Sequence, residues 1–319
     1  MEEKDVNQKG EELIEVDDKG NSVEKKEVKK PAPAKGSENF THILLVFLAC
    51  VLLGLFLKIF IFNKNIEKTK IYHKYKTADD LNRNVGEAII RFVKQKPKAR
   101  IGLASGSTPE GLYKYLIHKC EKHEVSFKNV EFYSIDGFCG LPETDKNSYY
   151  YSLYNNFLSK IDAQKENIHL LKEDGKNKED FDKNAEKYNQ LLAKNPIDLQ
   201  ILSFGENGHI GFNEPNTDFN LLTHIVELTP EKRQEKSKIF GSLDKTPQYA
   251  ITQGVKSVLQ AKEIFVIAKG SGKAQAVNDL VNGVYTKKSP ITALRTHHKV
   301  TVFTDEEAGS KIKEFNKKF

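Results

Sequence analysis

From about Glu67 to the C-terminus, short apolar runs alternate with stretches of helical period, and this alternation restricts the fold more than any other feature of the chain. Lys70-Ile71-Tyr72 reads as a short strand. Thr77-Ala78-Asp79-Asp80 resembles a capping box, opening a helix that runs through Ile89, Ile90 and Phe92 to Pro97. Further strands are expected at 101–104, 130–135, 199–204, 263–268 and 299–303. Helices are expected at 109–120, 148–158, 180–192, 247–259 and 271–282. Parallel strands need long crossovers, and helices supply them, so the pattern implies an α/β fold: a mainly parallel sheet covered on both faces. In such sheets ligands bind at the carboxyl ends of the strands.

Two other regions precede this one. Residues 1–41 begin acidic, become Lys-rich over 25–30 and end in Pro31-Ala32-Pro33-Ala34. With few large apolar residues they bury too little to offset their ordering entropy, and a disordered tail is expected. Residues 42–63 hold the apolar run 43–62, in which Lys58 is the one charge and lies near an end. About 20 residues at 1.5 Å each match a hydrocarbon core of about 30 Å, so a single transmembrane helix is expected. A cleaved signal peptide starts its apolar run nearer the N-terminus. Lysines flank both sides, with a slight excess on the C-terminal side, and the positive-inside rule leans toward a cytoplasmic C-terminal domain. That domain is expected to span 64–319.

A formal net charge of +6, with Lys interspersed among Asp and Glu and only five Arg residues, argues against nucleic acid as a partner. Cys50, Cys120 and Cys139 have neither metal-site nor disulfide spacing.

Four turns carry candidate chemistry. Ser105-Gly106-Ser107-Thr108-Pro109 joins an apolar run to a helix, with Thr108 as an expected cap. Its N–H groups and hydroxyls suit a phosphate, although a turn serving only the fold would read alike. It lacks the Gly-Lys-Ser/Thr of a P-loop. Gly270-Ser271-Gly272-Lys273 sets a cation in the first turn of a helix, where it opposes the dipole. A shared anion would remove that penalty, and a plainly solvated Lys is the other reading. His209 stands among glycines after an expected strand, with Glu214 five residues on. A carboxylate beside an imidazole orients the ring and supports its protonated form, as general acid/base work requires. Asp136 ends another strand before Gly137, placed either to move a proton or to make an Asp-Gly turn.

Together these residues resemble the glucosamine-6-phosphate deaminase family, within a wider group that includes 6-phosphogluconolactonases. The resemblance runs from about Lys68 to Ala308, and its most specific piece is Asn207-Gly208-His209-Ile210-Gly211-Phe212-Asn213-Glu214-Pro215. Leu103 to Pro109, Gly140-Leu141-Pro142 and Ser148-Tyr149-Tyr150 agree in order and spacing. The resemblance implies a three-layer α/β/α, Rossmann-like fold. It implies isomerisation and deamination of glucosamine 6-phosphate to fructose 6-phosphate and ammonia, with no metal or organic cofactor. Relatives commonly assemble, so a homo-oligomer is among its implications. His209 would be the ring-opening base, supported by Glu214 and Asn207, and Asp136 would move the C2 proton to C1. Ser105, Gly106, Ser107, Thr108 and Lys273 would hold the phosphate, joined by Lys238 where the family usually has Arg. Lys keeps the charge but loses the forked geometry. A second departure is Gly137, where the family usually has Glu. With the unusual anchor it motivates a rival reading, a non-catalytic sugar-phosphate binder or membrane scaffold, which predicts binding of glucosamine 6-phosphate without product and recovery of activity when Glu is restored at 137. A lactonase-like hydrolase is the third reading, and Phe212-Asn213-Glu214-Pro215 argues against it.

Overall fold

The computed structural model describes residues 44–54, 69–314 and 316–319. The expected disordered tail lies outside the described residues, as do both ends of the expected membrane span. Residues 44–54 are helical, and every side chain among them is exposed although the segment is apolar on all sides. That stretch covers about 16 Å at 1.5 Å per residue, half a hydrocarbon core. Among the described residues no helix is long and apolar enough to cross a membrane.

Ile66–Phe319 form a separate unit built on an eight-stranded sheet. Its strands are β1 (Thr69–Lys74), β2 (Arg100–Leu103), β3 (Glu131–Ser134), β5 (Ile168–His169), β6 (Leu199–Leu202), β9 (Glu263–Ala268), β10 (Lys299–Thr304) and β11 (Asn316–Lys318). Their order is β11-β1-β10-β9-β6-β2-β3-β5, and every pair is parallel except β1 with β11. Strand side chains alternate between faces. In β9, Ile264 and Val266 enter one core while Phe265 and Ile267 enter the other. The first core packs α4 (Lys178–Lys194) and α7 (Ala274–Asn282); the second packs α1 (Ala78–Gln95), α2 (Glu110–Glu121) and α3 (Tyr149–Asn156). The result is three layers, as the alternating pattern implies.

Local signals explain most helix starts. Thr77 caps α1, its hydroxyl accepting from the Asp80 N–H at 3.0 Å. Ser148 caps α3 through the Tyr151 N–H. Thr108, expected to cap α2, does not: Pro109 takes the cap position with helical dihedrals and no side-chain bond. The expected helix over 247–259 is also corrected. Tyr249–Thr252 is a strand, β8, and Gly254 separates it from a short helix, α6 (Val255–Leu259). Tertiary pairing decides this, because β8 lies antiparallel between β4 (Asp136–Phe138) and β7 (His224–Glu227) in a second, three-stranded sheet.

The topology places the cleft. From β2 the chain moves outward through β3 to β5, then returns to β6 beside β2 and moves the other way through β9 to β10. The turns leaving β2 and β6 therefore diverge, and a crevice opens at their carboxyl ends. At the opposite end of these strands Asp198 is buried, 2% exposed, among Lys96 (2.5 Å), Lys262 (2.9 Å) and the Arg100 N–H (3.0 Å).

Candidate active site

The turns after β2 and β6 line one cleft of about 640 Å³, walled by Ser105 to Thr108, Ser203 to Asn207 and His209. Gly106 has φ +82°, a left-handed conformation that a β-carbon would strain, so the turn depends on glycine there. Asp136 opens β4, held at its register opposite Thr252, and its carboxyl reaches the same cleft although the residue is only 8% exposed. The Ser105 hydroxyl donates to Asp136 Oδ1 at 2.5 Å. That hydroxyl is thus committed to the carboxylate, which leaves Ser107, Thr108 and the turn amides for an anion. Burial pushes the Asp136 carboxyl up to about 6, against the pull of the Ser105 bond and the Lys236 charge. A carboxylate so placed is ionised at neutral pH yet accepts a proton readily.

His209 is oriented by a relay. Its Nδ1 lies 2.7 Å from Asn207 Oδ1, and Asn207 Nδ2 donates to Glu214 Oε2 at 2.9 Å. The carboxylate can only accept, so it fixes the amide with its oxygen toward the ring, and that oxygen in turn requires the proton on Nδ1. The lone pair is then on Nε2. Burial holds the imidazole below its usual range; Glu214 opposes this, while Lys232, Lys273 and Lys236 reinforce it. The ring is therefore neutral near pH 7, the form a base needs. Glu214 does not reverse that, and its direct approach to Nδ1 is 3.6 Å. Burial alone would raise the Glu214 carboxyl, but Asn207, His209 and Lys232 hold it below the usual carboxylate range.

Cations complete the wall. Helix α5 (Pro230–Phe240) starts at Thr229, whose hydroxyl accepts from the Lys232 N–H. One turn apart, Lys232 and Lys236 face the cleft, with Glu235 between them. Lys238 lies two residues further round the helix, roughly 200° from Lys236. It is exposed and is not part of the cleft wall. Lys232 pairs with Glu214 at 2.9 Å and Glu235 at 3.3 Å. Lys273 enters from the turn after β9, its ammonium held below its usual range by burial and Lys236, with Glu206 opposing.

The structure thus gathers Ser105, Gly106, Ser107, Thr108, Asp136, Asn207, His209 and Lys273 in one cleft and sets Glu214 directly behind Asn207. It adds Lys232, Lys236 and Glu235, which no motif contained, and Tyr149, which was named only within a motif and given no role. A signal for the lysines was present: Thr229-Pro230-Glu231 is a helix start, and positions 232 and 236 share a face. Tyr149 had none beyond its place in the Ser148-Tyr149-Tyr150 motif.

Residues 73–303 match the family described as glucosamine-6-phosphate isomerases/6-phosphogluconolactonase. The chain belongs to this family. A glucosamine-6-phosphate deaminase of Bacillus velezensis is 42% identical over 231 residues, covering 72% of this chain and 95% of the relative. One from a Thermoanaerobacter species is 38% identical over 235 residues, covering 73% and 92%. Among solved structures, a monomeric glucosamine-6-phosphate deaminase superposes with a TM-score of 0.70 at 34% identity, over 75% of this chain and 98% of that one. The 6-phosphogluconolactonase of Trypanosoma brucei shares the fold, at a TM-score of 0.61 and 18% identity. The family match contains every residue of the cleft wall, from Ala104 to Lys273. The apolar helical stretch 44–54 lies outside it.

Proposed function

We propose that this chain is a membrane-tethered glucosamine-6-phosphate deaminase, converting glucosamine 6-phosphate and water to fructose 6-phosphate and ammonia. One observation carries the reading: a buried carboxylate poised near neutrality, Asp136, shares a single cleft with the His209–Asn207–Glu214 relay. Ring opening requires a proton to leave the C1 hydroxyl and another to reach the ring oxygen. A neutral imidazole with Nε2 available does both in turn. In the open chain, Asp136 removes the proton from C2, the C1 carbonyl oxygen is protonated, and the resulting enolamine takes a proton back at C1. The C2 imine then adds water and expels ammonia, so all atoms balance. Substrate grip falls to the 105–108 turn and Lys273, with Lys232 and Lys236 adding positive potential. The identity to deaminases supports this over lactone hydrolysis, since the lactonase neighbours share only the fold.

The purified chain is expected to release ammonia from glucosamine 6-phosphate and not to hydrolyse 6-phosphogluconolactone at a comparable rate. Because the ionised carboxylate is the working form, kcat/KM should fall as pH drops through about 6. Lactone turnover without ammonia release would overturn the assignment, and binding of the amino sugar without product would favour the non-catalytic reading.

The tether rests on the apolar run 43–62 and on the exposure of the residues in its described part, 44–54. Apolar side chains around a whole helix circumference find their match in hydrocarbon. We infer one pass with the catalytic unit in the cytoplasm, where sugar phosphates are found. The chain should sediment with membranes, resist high salt and dissolve in detergent, and protease added to intact cells should spare the catalytic unit. Recovery of the intact chain in the soluble fraction would refute the tether, and loss of the catalytic unit to the protease would reverse its orientation.

A further inference from the structure

Glu173 is a buried carboxyl, 3% exposed, that the mechanism above leaves unused. It sits in the loop between β5 and α4, yet its side chain joins two elements of the cleft. Its Oε2 accepts from the Phe138 N–H at 3.1 Å in β4, and its Oε1 accepts from the Tyr150 N–H at 2.7 Å in the first turn of α3. Its main-chain oxygen accepts from the Gly140 N–H at 2.7 Å. The strand that begins with Asp136 and the helix that begins with Tyr149 are thereby fastened to one carboxyl group.

The residue between Asp136 and Phe138 makes this possible. Gly137 is not among the glycines with positive φ, so its backbone would accept any side chain. Space is what forbids one. A β-carbon at 137 would lie 2.5 Å from both Cγ and Cδ of Glu173 and 2.8 Å from its Oε1. With the Glu173 side chain in this position, residue 137 has room only for glycine.

We propose that Glu173 is the positioning residue for Asp136, and that Gly137 and Glu173 form an exchangeable pair in which the carboxyl absent at 137 is delivered from 173. This rests on the reading of Asp136 as the proton-transferring base. Asp136, Cys139 and Tyr149 are the titratable groups in its surroundings. Burial pushes the Glu173 carboxyl up to about 8; the two N–H donors pull against this and the Asp136 charge adds to it. Glu173 is not part of the cleft wall, so its influence on turnover passes through β4 and α3.

The test is a swap in the full-length chain, reading kcat and KM for ammonia release separately. Glu173→Gly alone should lower kcat about 30-fold while KM stays within about threefold, because an orienting contact is lost and no substrate contact is. Gly137→Glu alone should be worse, at least about 100-fold, because the new side chain overlaps Glu173. The double variant Gly137→Glu/Glu173→Gly should return to within about fivefold of the parent, far above the product of the single losses. A double variant no better than Glu173→Gly, whether inactive or unfolded, overturns the exchange, and so does a fully active Gly137→Glu. Retained turnover in Asp136→Asn would instead refute the underlying mechanism, a separate failure.

Discussion

Asp136→Asn is expected to yield a protein that is nearly inactive and yet more stable than its parent at neutral pH. The two effects have one cause. The parent folds with a carboxylate 8% exposed whose proton affinity is raised to about 6, against about 3.9 for an unfolded aspartate. A folded-state pKa above the unfolded one means that the native state favours the proton. Its contribution is fully present below about pH 4 and is lost as pH rises through about 6. Above that point the charged base costs the fold on the order of 3 kcal/mol. Asparagine removes the charge and keeps an oxygen to accept the Ser105 hydroxyl, so the cost is relieved. It also removes the proton acceptor, and turnover should drop by at least about 10³-fold. Urea denaturation of both proteins at pH 4 and pH 7.5 checks the first half: the variant should gain only at the higher pH. Equal stability at both values would mean that the carboxylate is not strained by burial. Turnover within tenfold of the parent would mean that Asp136 is not the base.

At the other end of the sheet, Asp198→Ala should cost about 3 kcal/mol of stability and leave kcat per folded molecule unchanged. Breaking a buried ion pair from one side costs about 3–5 kcal/mol because the partners are left with uncompensated charge. Here Lys96 and Lys262 are 41% and 58% exposed and can rehydrate, which sets the expectation at the lower end. The Arg100 N–H loses its acceptor as well. For a domain of this size the melting temperature should fall by roughly 10 °C. The sign of the pH dependence is opposite to that of Asp136. Burial raises the Asp198 carboxyl, but Lys262, Lys96 and the Arg100 N–H outweigh it and hold it at about 2. Its contribution is present above about pH 4 and disappears as pH falls through about 2. The parent should therefore lose stability across that acid window, and the variant should lose less there. A melting temperature within 2–3 °C of the parent would show that the cluster contributes little.

Much of the site could be read from local chemistry. The turns at Ser105–Thr108 and Gly270–Lys273, the His209 loop and Asp136 each follow a strand of the parallel sheet or its immediate extension, so the rule that such sheets bind ligands at their carboxyl ends was enough to group them. The glycines and hydroxyls before helices α2 and α7 carried their own reason. Lys238 illustrates the limit: placed by resemblance to a motif, it turns away because a helix advances about 100° per residue, and Lys232 and Lys236 face the cleft in its stead. The strand at Tyr249–Thr252 shows another limit. Its apolar run suits a helix or a strand, and only its partners β4 and β7 select between them.

The residue order alone determined the alternation of strand and helix, hence the layered parallel sheet, and the types of side chain at the end of each strand. These follow from periodicity and from turn chemistry, which act over a few neighbouring residues. Tertiary structure alone decided the pairing of β8 with β4 and β7, the facing of α5 and the occupation by Glu173 of the space beside Gly137. Those depend on where distant segments come to rest, and a contact between positions 137 and 173 leaves no trace in either segment read by itself.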